Sequence, residues 1–193
     1  METIIYLIRH GETDWNSARR IQGHSDVALN ERGLQQAELV GARLKQEIFH
    51  AVYSSDLCRA QVTAEHIAKH FDYRTSTHAT LRERCYGRLE GLTYDEIRER
   101  FSEEDEETHG IETFEVMQQR AVKALTEIAS QHPDQSIVVV SHGGLINSFL
   151  HYVTGGLQGT GITKIENTSI NLFRFADQRW EVLQVNNTDH LEA

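Results

Sequence analysis

The stretch TIIYLIRHGETDWN, residues 3–16, carries a short apolar, β-branched run directly into Arg9, His10 and Gly11. A run of this length is too short for a free-standing helix and suits a strand buried on both faces. Such a strand needs neither an arginine nor a histidine at its end, and Gly11 alone would serve a turn. The pair is either incidental or meets a ligand. A second stretch, SIVVVSHGG at residues 136–144, repeats the arrangement, with Ser141, His142, Gly143 and Gly144 closing the apolar run. If the two strands are parallel neighbours, both histidines emerge at one carboxyl edge, where open α/β sheets bind their ligands.

Helical periodicity fills the space between the strands. Leu34, Ala37, Gly41, Leu44 and Ile48 recur at steps of three and four, with Asn30 placed to cap the helix. A second helix follows the weaker strand HAVYSS (50–55), with Thr63, Ala64, Ile67, Ala68 and Phe71 on one stripe. A third carries Phe114, Met117, Ala121, Leu125 and Ile128, and a fourth opens after SHGG. The C-terminal SINLFRFADQRWEVLQV (169–185) predicts a hairpin at a sheet edge, its polar turn at Ala176 to Arg179. Strands alternating with helices imply one α/β domain over residues 1–193, a three-layer sandwich with a mostly parallel central sheet. Residues 87–112 interrupt the alternation with polar helical sequence and read as a small helical cap insertion over the carboxyl edge. Its acidic run, Glu103, Glu104, Asp105, Glu106 and Glu107, reads as a solvated face, with exclusion of bulky polyanions as the sharper alternative.

Composition narrows the partners. At 193 residues the chain is long enough to bury a core without metal or disulfide staples. Nineteen Lys and Arg against 29 Asp and Glu leave a net charge of −10, which repels nucleic acid and anionic membrane. Any anion site is then a local basic pocket. No run approaches the ~20 apolar residues of a membrane span, and the N-terminus lacks a leader pattern, so the expected location is cytoplasmic. Cys58 and Cys85 lack C-x-x-C spacing and read as inert thiols rather than a disulfide or zinc site.

The strand ends gather chemistry. Gly143 and Gly144 open the fourth helix, so backbone N–H groups and the positive helix end would face an anion there. Arg59, in the first turn of the second helix, joins Arg9, His10 and His142 at the same edge. Alone, each of these residues is a turn or a surface cation; together they suit a phosphoryl group, which guanidinium groups bind bidentately. Other phosphoryl and acyl chemistries fail on the string. Neither Cys58 nor Cys85 has Arg six positions on, D-x-D does not occur, and GGLQGTGITK (155–164) lacks the Lys-Ser/Thr of a nucleotide phosphate loop. Val139 breaks a nucleophile elbow around Ser141. Histidine remains as the nucleophile.

The segments RHGETDWN (9–16), RIQGHSDVALNERGLQQA (20–37), YSSDLCRAQVTAE (53–65), LRERCYGRLEG (81–91) and VSHGGLI (140–146) resemble the successive motifs of the histidine phosphatase superfamily, with its phosphoglycerate mutase-like fold. They stand in the family's order, and the closing NTDHLEA resembles tails of its small bacterial phosphatases. The resemblance implies that His10 is phosphorylated, that Arg9, Arg59 and His142 clamp the phosphoryl oxygens, and that Glu83 donates the proton to the leaving group. It also implies phosphate contacts from Asn16, Gln22, Gly23 and Gly143. For attack, His10 must be neutral at one nitrogen, so the other ring N–H is expected on a backbone carbonyl. A surface ion pair with Arg82 or Arg84 is the plain alternative for Glu83, and Tyr86 either lines the pocket or packs beneath the cap.

The implied activity is hydrolysis of small phosphorylated metabolites, with no cofactor and no metal. The alternative within the family is a cofactor-dependent phosphoglycerate mutase. Mutases run longer and carry an adjacent Arg pair in the cap, whereas Arg98 and Arg100 here are split by Glu99 and followed by the acidic run. ERCYG resembles both versions. A non-catalytic phosphate-binding module is opposed by the presence of every catalytic position. Substrate identity and oligomeric state stay open.

Overall fold

The computed structural model describes residues 1–100 and 109–192. In chain order its elements are β1 (Glu2–Arg9), α1 (Asp14–Ser17), α2 (Glu31–Leu44), β2 (Ala51–Ser54), α3 (Cys58–Ala68), β3 (Thr75–Thr77), α4 (Tyr94–Arg100), α5 (Phe114–Ser130), β4 (Gln135–Ser141), α6 (Gly143–Val153), β5 (Ile170–Ala176) and β6 (Arg179–Asn187). Short 3-10 turns lie at Ala79–Leu81, Gly87–Leu89 and Asp189–Leu191. The acidic run Glu103 to Glu107 lies outside the described residues.

Strand alternation decides the layers. In β1, Ile5 and Leu7 point to one face with Ile137 and Val139 of β4, and pack beneath Leu125 of α5 and Phe149 of α6. Ile8, Val138 and Val140 point the other way and meet Val40 of α2 and Ala64 and Ile67 of α3. The apolar runs are continuous because the central strands are covered on both sides. Phe149 is fully buried, edge-on to Phe173 and Trp180 with ring centroids 4.9 and 5.0 Å away. Truncating such a side chain to Ala costs about 3–5 kcal/mol.

The six strands run in the order β3-β2-β4-β1-β5-β6. β1 and β4 are parallel neighbours with Arg9 level with Ser141, so His10 and His142 step off adjacent strands at the same end. The His10 N–H donates to the Ser141 carbonyl at 3.0 Å, extending the ladder by one residue. β2 is parallel to both β4 and β3, whereas β5 is antiparallel to β1 and β6. The C-terminal hairpin thus closes one edge of the sheet, as expected, on a two-residue turn. Asp177 and Gln178 take positive φ values of 50° and 60°, the pair of left-handed conformations that a primed turn requires.

Asn30 caps α2 as its sequence predicts, its Oδ1 accepting from the Gly33 N–H at 2.8 Å. The apolar stripe of α2 differs from the expectation. Leu34 is 43% exposed and Ile48 79% exposed, and the buried face is Gly33, Gln36, Ala37, Val40, Gly41 and Leu44. Backbone approach causes the rotation. A Cβ on Gly33 would lie 2.8 Å from the Glu12 nitrogen, and one on Gly41 3.1 Å from the His66 carbonyl carbon of α3. Pressing both glycines inward turns Leu34 out, and because α2 ends at Leu44, Phe49 rather than Ile48 enters the core. Phe71 lies past the end of α3 and packs edge-on to Phe49 at 5.2 Å. The short elements α1 and β3 carry too few residues for periodicity to reveal them, whereas α4 falls within the polar helical stretch read at 87–112. Among the described residues no helix is long and apolar enough to cross a membrane.

Candidate active site

The ends of β1 and β4 converge on a cavity of about 350 Å³. Four arginines, Arg9, Arg20, Arg59 and Arg84, line it with a single carboxylate, that of Glu83, among the described residues. A chain of net charge −10 therefore holds a local basic pocket. Burial and the ring's own hydrogen bond set the state of His10. The side chain is buried, and Nδ1 lies 2.6 Å from the Gly11 carbonyl oxygen. A carbonyl can only accept, so Nδ1 carries the hydrogen and Nε2 carries the lone pair. Burial first, then the Arg59 and Arg9 charges, hold the His10 pKa well below the ordinary histidine value. Gly11 itself is tied down by its N–H to Thr63 Oγ1 at 3.0 Å, and Thr63 in turn donates to the Arg59 carbonyl at 2.8 Å.

Around this ring, hydrogen-bond donors lack partners. Arg9 donates Nη1 to the Ile165 carbonyl at 2.6 Å, and Arg59 donates Nη1 and Nη2 to the carbonyls of Ser25 and Gly23 at 2.7 and 2.8 Å. Those bonds aim each guanidinium, yet the Nε of both stays buried without a partner among the described residues. His142 caps α6 by position, is fully buried, and has its ring centroid 5.1 Å from that of His10. Neither of its ring nitrogens has a partner among the described residues. Burial, Arg59 and His10 hold its pKa well below the ordinary value as well. A buried unsatisfied polar group costs about 1–3 kcal/mol, so three side chains arranged this way imply an anion that satisfies them together.

The expected amide donors stand on the wall of the same cavity. Thr13 caps α1, and its hydroxyl sits 3.1 Å from Asn16 Oδ1 and 3.0 Å from Gln22 Oε1. With both oxygens turned to Thr13, the amide nitrogens of Asn16 and Gln22 are left to donate. Gly23 adopts φ +51°, and a Cβ there would lie 2.7 Å from Glu90 Cδ. Glu90 pins this loop, accepting from the His24 N–H at 2.8 Å and the Ser25 hydroxyl at 2.7 Å.

The N-terminus of α6 departs from its expected use. The N–H groups of Gly144 and Leu145 donate to the Glu83 carboxylate at 2.9 and 3.0 Å, and the Arg84 N–H adds a third bond at 2.9 Å. The anion at this helix end is Glu83 itself, a carboxylate favoured there by the helix dipole as a ligand anion would be. Gly143 sits against the Arg9 guanidinium, and Gly144 rather than Gly143 faces the cavity. Glu83 does not take the surface ion pair. Arg82 forms a bidentate pair with Asp56, both bonds at 2.7 Å, and Arg84 donates Nε to the Glu112 carbonyl at 2.6 Å.

Arg120 on α5 supports the Glu83 segment and gives no signal in a single sequence. It donates to the carbonyls of Thr80, Arg82 and Glu83 at 2.9, 2.8 and 3.2 Å while pairing with Glu112 at 2.8 Å. Glu90 and Asn167, whose Nδ2 donates to the His10 carbonyl at 3.0 Å, went unread for the same reason. Tyr86 lines the cavity; Arg98 pairs with Asp95 on the outer face of α4 and does not line it. The Cys58 and Cys85 thiols are free, and burial with nearby Asp26 pushes Cys58 up to about 11. Among the described residues no three His, Cys, Asp or Glu side chains gather as a metal site would need.

Known proteins resemble this chain over nearly its whole length. A phosphoglycerate mutase-like protein of Arabidopsis thaliana is 41% identical over 97% of this chain and 86% of its own length. A metal-independent phosphoserine phosphatase of the same plant is 38% identical over 99% and 84%. The crystal structure of a phosphoserine phosphatase variant from Entamoeba histolytica, bound to phosphoserine, superposes with a TM-score of 0.84 at 29% identity, covering 98% of this chain and 99% of that one. Residues 5–188 match the histidine phosphatase superfamily (branch 1) as a whole. A match of that extent, on a fold that brings the two strand-end histidines face to face, makes the chain an enzyme of the histidine phosphatase superfamily, branch 1.

Proposed function

We propose that the protein hydrolyses small phosphomonoesters through a phosphohistidine on His10, without a metal. The observation that carries this reading is the neutral His10 ring, locked by Gly11 with Nε2 free, beside the unpaired donors of Arg9, Arg59 and His142. Nε2 attacks phosphorus as the ester P–O bond breaks. Arg9, Arg59 and His142 take the phosphoryl oxygens, with the amides of Asn16 and Gln22 at the rim. Such donors, already aimed by the protein, need no reorganisation during the step. Glu83 takes up a proton as the negatively charged substrate fills the cavity and gives that proton to the departing oxygen. Water then attacks phosphorus and gives a proton to the Glu83 carboxylate; the N–P bond breaks, and inorganic phosphate leaves with the His10 lone pair restored.

The substrate reading starts from relatives that act on phosphoserine, and the cavity supports a substrate with an anionic end. Arg20 and Arg84 line it in addition to the pair beside His10. A mutase would form the same phosphohistidine, so net phosphate release is what separates the two reactions. Rapid quenching with labelled p-nitrophenyl phosphate and phosphoserine is expected to trap an acid-labile, base-stable adduct on the wild type. His10→Ala is expected to lack it, and His142→Ala to slow turnover. Label persisting on His10→Ala would overturn the assignment.

A further inference from the structure

The segment 165–169 runs beside the end of β1 and grips the nucleophile's backbone. The Ile165 carbonyl accepts from Arg9 Nη1, and Asn167 Nδ2 donates to the His10 carbonyl at 3.0 Å. The Thr168 N–H donates to the Arg9 carbonyl at 3.0 Å and reaches the His10 carbonyl at 3.4 Å, while the Ser169 carbonyl accepts from the Arg9 N–H at 3.4 Å. One short loop thus fixes both backbone groups of Arg9 and the carbonyl of His10. That loop carries a strained residue. Thr168 is fully buried at φ +56°, in the left-handed region that a β-branched side chain disfavours. Such a conformation persists only where the surroundings over-determine it.

The group that holds it comes from the stretch NTDHL, residues 187–191. His190 lies on the 3-10 turn Asp189–Leu191, is 6% exposed, and has Nε2 3.1 Å from the Thr168 hydroxyl oxygen. Its Nδ1 is buried without a partner among the described residues, so the ring spends its hydrogen bonding on Thr168. Packing alone does not account for a histidine here, since an apolar side chain would fill the space and leave no polar atom unsatisfied. The turn is itself tied down, Asn187 Nδ2 donating to Asp189 Oδ2 at 2.7 Å and the Leu191 N–H to the Thr188 carbonyl at 2.8 Å. We infer that His190 is a positioning residue for the nucleophile: its bond to the Thr168 hydroxyl holds Thr168 left-handed, and Thr168 in turn sets the Arg9–His10 peptide at the cavity. This rests on the phosphomonoesterase reading and adds to it a residue that does not line the cavity. Without the bond Thr168 relaxes toward negative φ, its N–H leaves the two carbonyls, and His10 Nε2 loses its line on phosphorus. A displacement of about 1 Å there costs about 100-fold in rate.

The test compares substitutions at both ends of the bond by kcat/KM on p-nitrophenyl phosphate and phosphoserine, below the thermal midpoint of each variant. Thr168→Val keeps the shape and the strain but lacks the hydroxyl, and is expected to lose about 10–100-fold on both esters alike, because the nucleophile rather than the acid is displaced. His190→Leu is expected to fall as far, and His190→Gln, whose amide can still bond the hydroxyl, to recover most of the loss. Thr168→Gly is expected to lose less than Thr168→Val, since glycine adopts the left-handed conformation without help and keeps the N–H in place. A side chain that merely fills space gives the opposite order at 168, with valine tolerated and glycine worse. That order, or wild-type rates in folded His190→Leu, would overturn the inference while leaving hydrolysis intact. Absence of turnover by the wild type on every phosphomonoester would instead overturn the underlying reading. Should His190→Leu fail to fold, the order of valine and glycine at 168 decides the question.

Discussion

Gly144→Ala isolates the role of Glu83. A Cβ at this position would lie 3.0 Å from Glu83 Cδ and within contact distance of Oε1, so the carboxylate must move. The crowding meets the far end of a side chain rather than backbone, and the helix itself accepts Ala, which is favoured over Gly by about 0.5–1 kcal/mol. Displacement sacrifices bonds from Gly144, Leu145 and Arg84, each worth about 1.5–3 kcal/mol to a charged acceptor when fully made. With one bond lost and the helix gain set against it, the net destabilisation is about 1–2 kcal/mol, and the fold persists. The catalytic loss is larger. General acid catalysis contributes about 10²–10⁴-fold, and moving the acid by roughly 1 Å forfeits about 10² of it.

The assay is kcat/KM, which reports the phosphorylation step, on two leaving groups. An alkoxide such as that of phosphoserine needs the proton, whereas p-nitrophenolate departs without one. Gly144→Ala is expected to lower kcat/KM about 100-fold on phosphoserine and less than about tenfold on p-nitrophenyl phosphate. An equal fall on both substrates would show that the glycine matters for general integrity, and an unchanged phosphoserine rate would show that Glu83 is not the acid. Either result refutes the assignment.

Activity is expected to survive exhaustive chelation, because arginines already supply the positive charge at the cavity; loss with EDTA, restored by a divalent ion, would favour a metal. The pKa values of His10 and His142 are lowered by folding, so below about pH 6.5 the unfolded chain binds protons that the folded chain does not. Stability is therefore expected to be fully present above that pH and to fall as pH drops toward the folded values, by up to about 1.4 kcal/mol per pH unit for each histidine. Urea unfolding at about pH 7.5 and about pH 5.5 reads this, with a smaller slope in His142→Asn; a flat profile would contradict it. With 3-phosphoglycerate, phosphorus NMR is expected to show net phosphate release and little 2-phosphoglycerate. Rapid interconversion of the two without phosphate release would make the protein a mutase.

Local signals in the chain carried much of this. The runs before Arg9 and Ser141 read as strands because burial on both faces leaves only apolar residues there, and His10 and His142 were visible as residues no strand needs. The Asn30 cap, the polar turn at Asp177 and Gln178, and a backbone carbonyl for the second His10 nitrogen were equally legible, since each concerns residues close in sequence. Gly33 was legible only as a glycine; its approach to Glu12, which rolls α2 and expels Leu34, exists once the loop and helix pack. The same holds for the acid. A helix N-terminus attracts an anion, but which anion depends on what the fold delivers, and here Glu83 arrives from 61 residues before Gly144. Arg120, Glu90 and Asn167 had no readable role because a single polar side chain takes its meaning from partners that are distant along the chain. Sequence determined which groups stand at the strand ends, through periodicity and capping that act within a few residues; tertiary packing alone decided which donors are spent on the protein and which are left for a ligand.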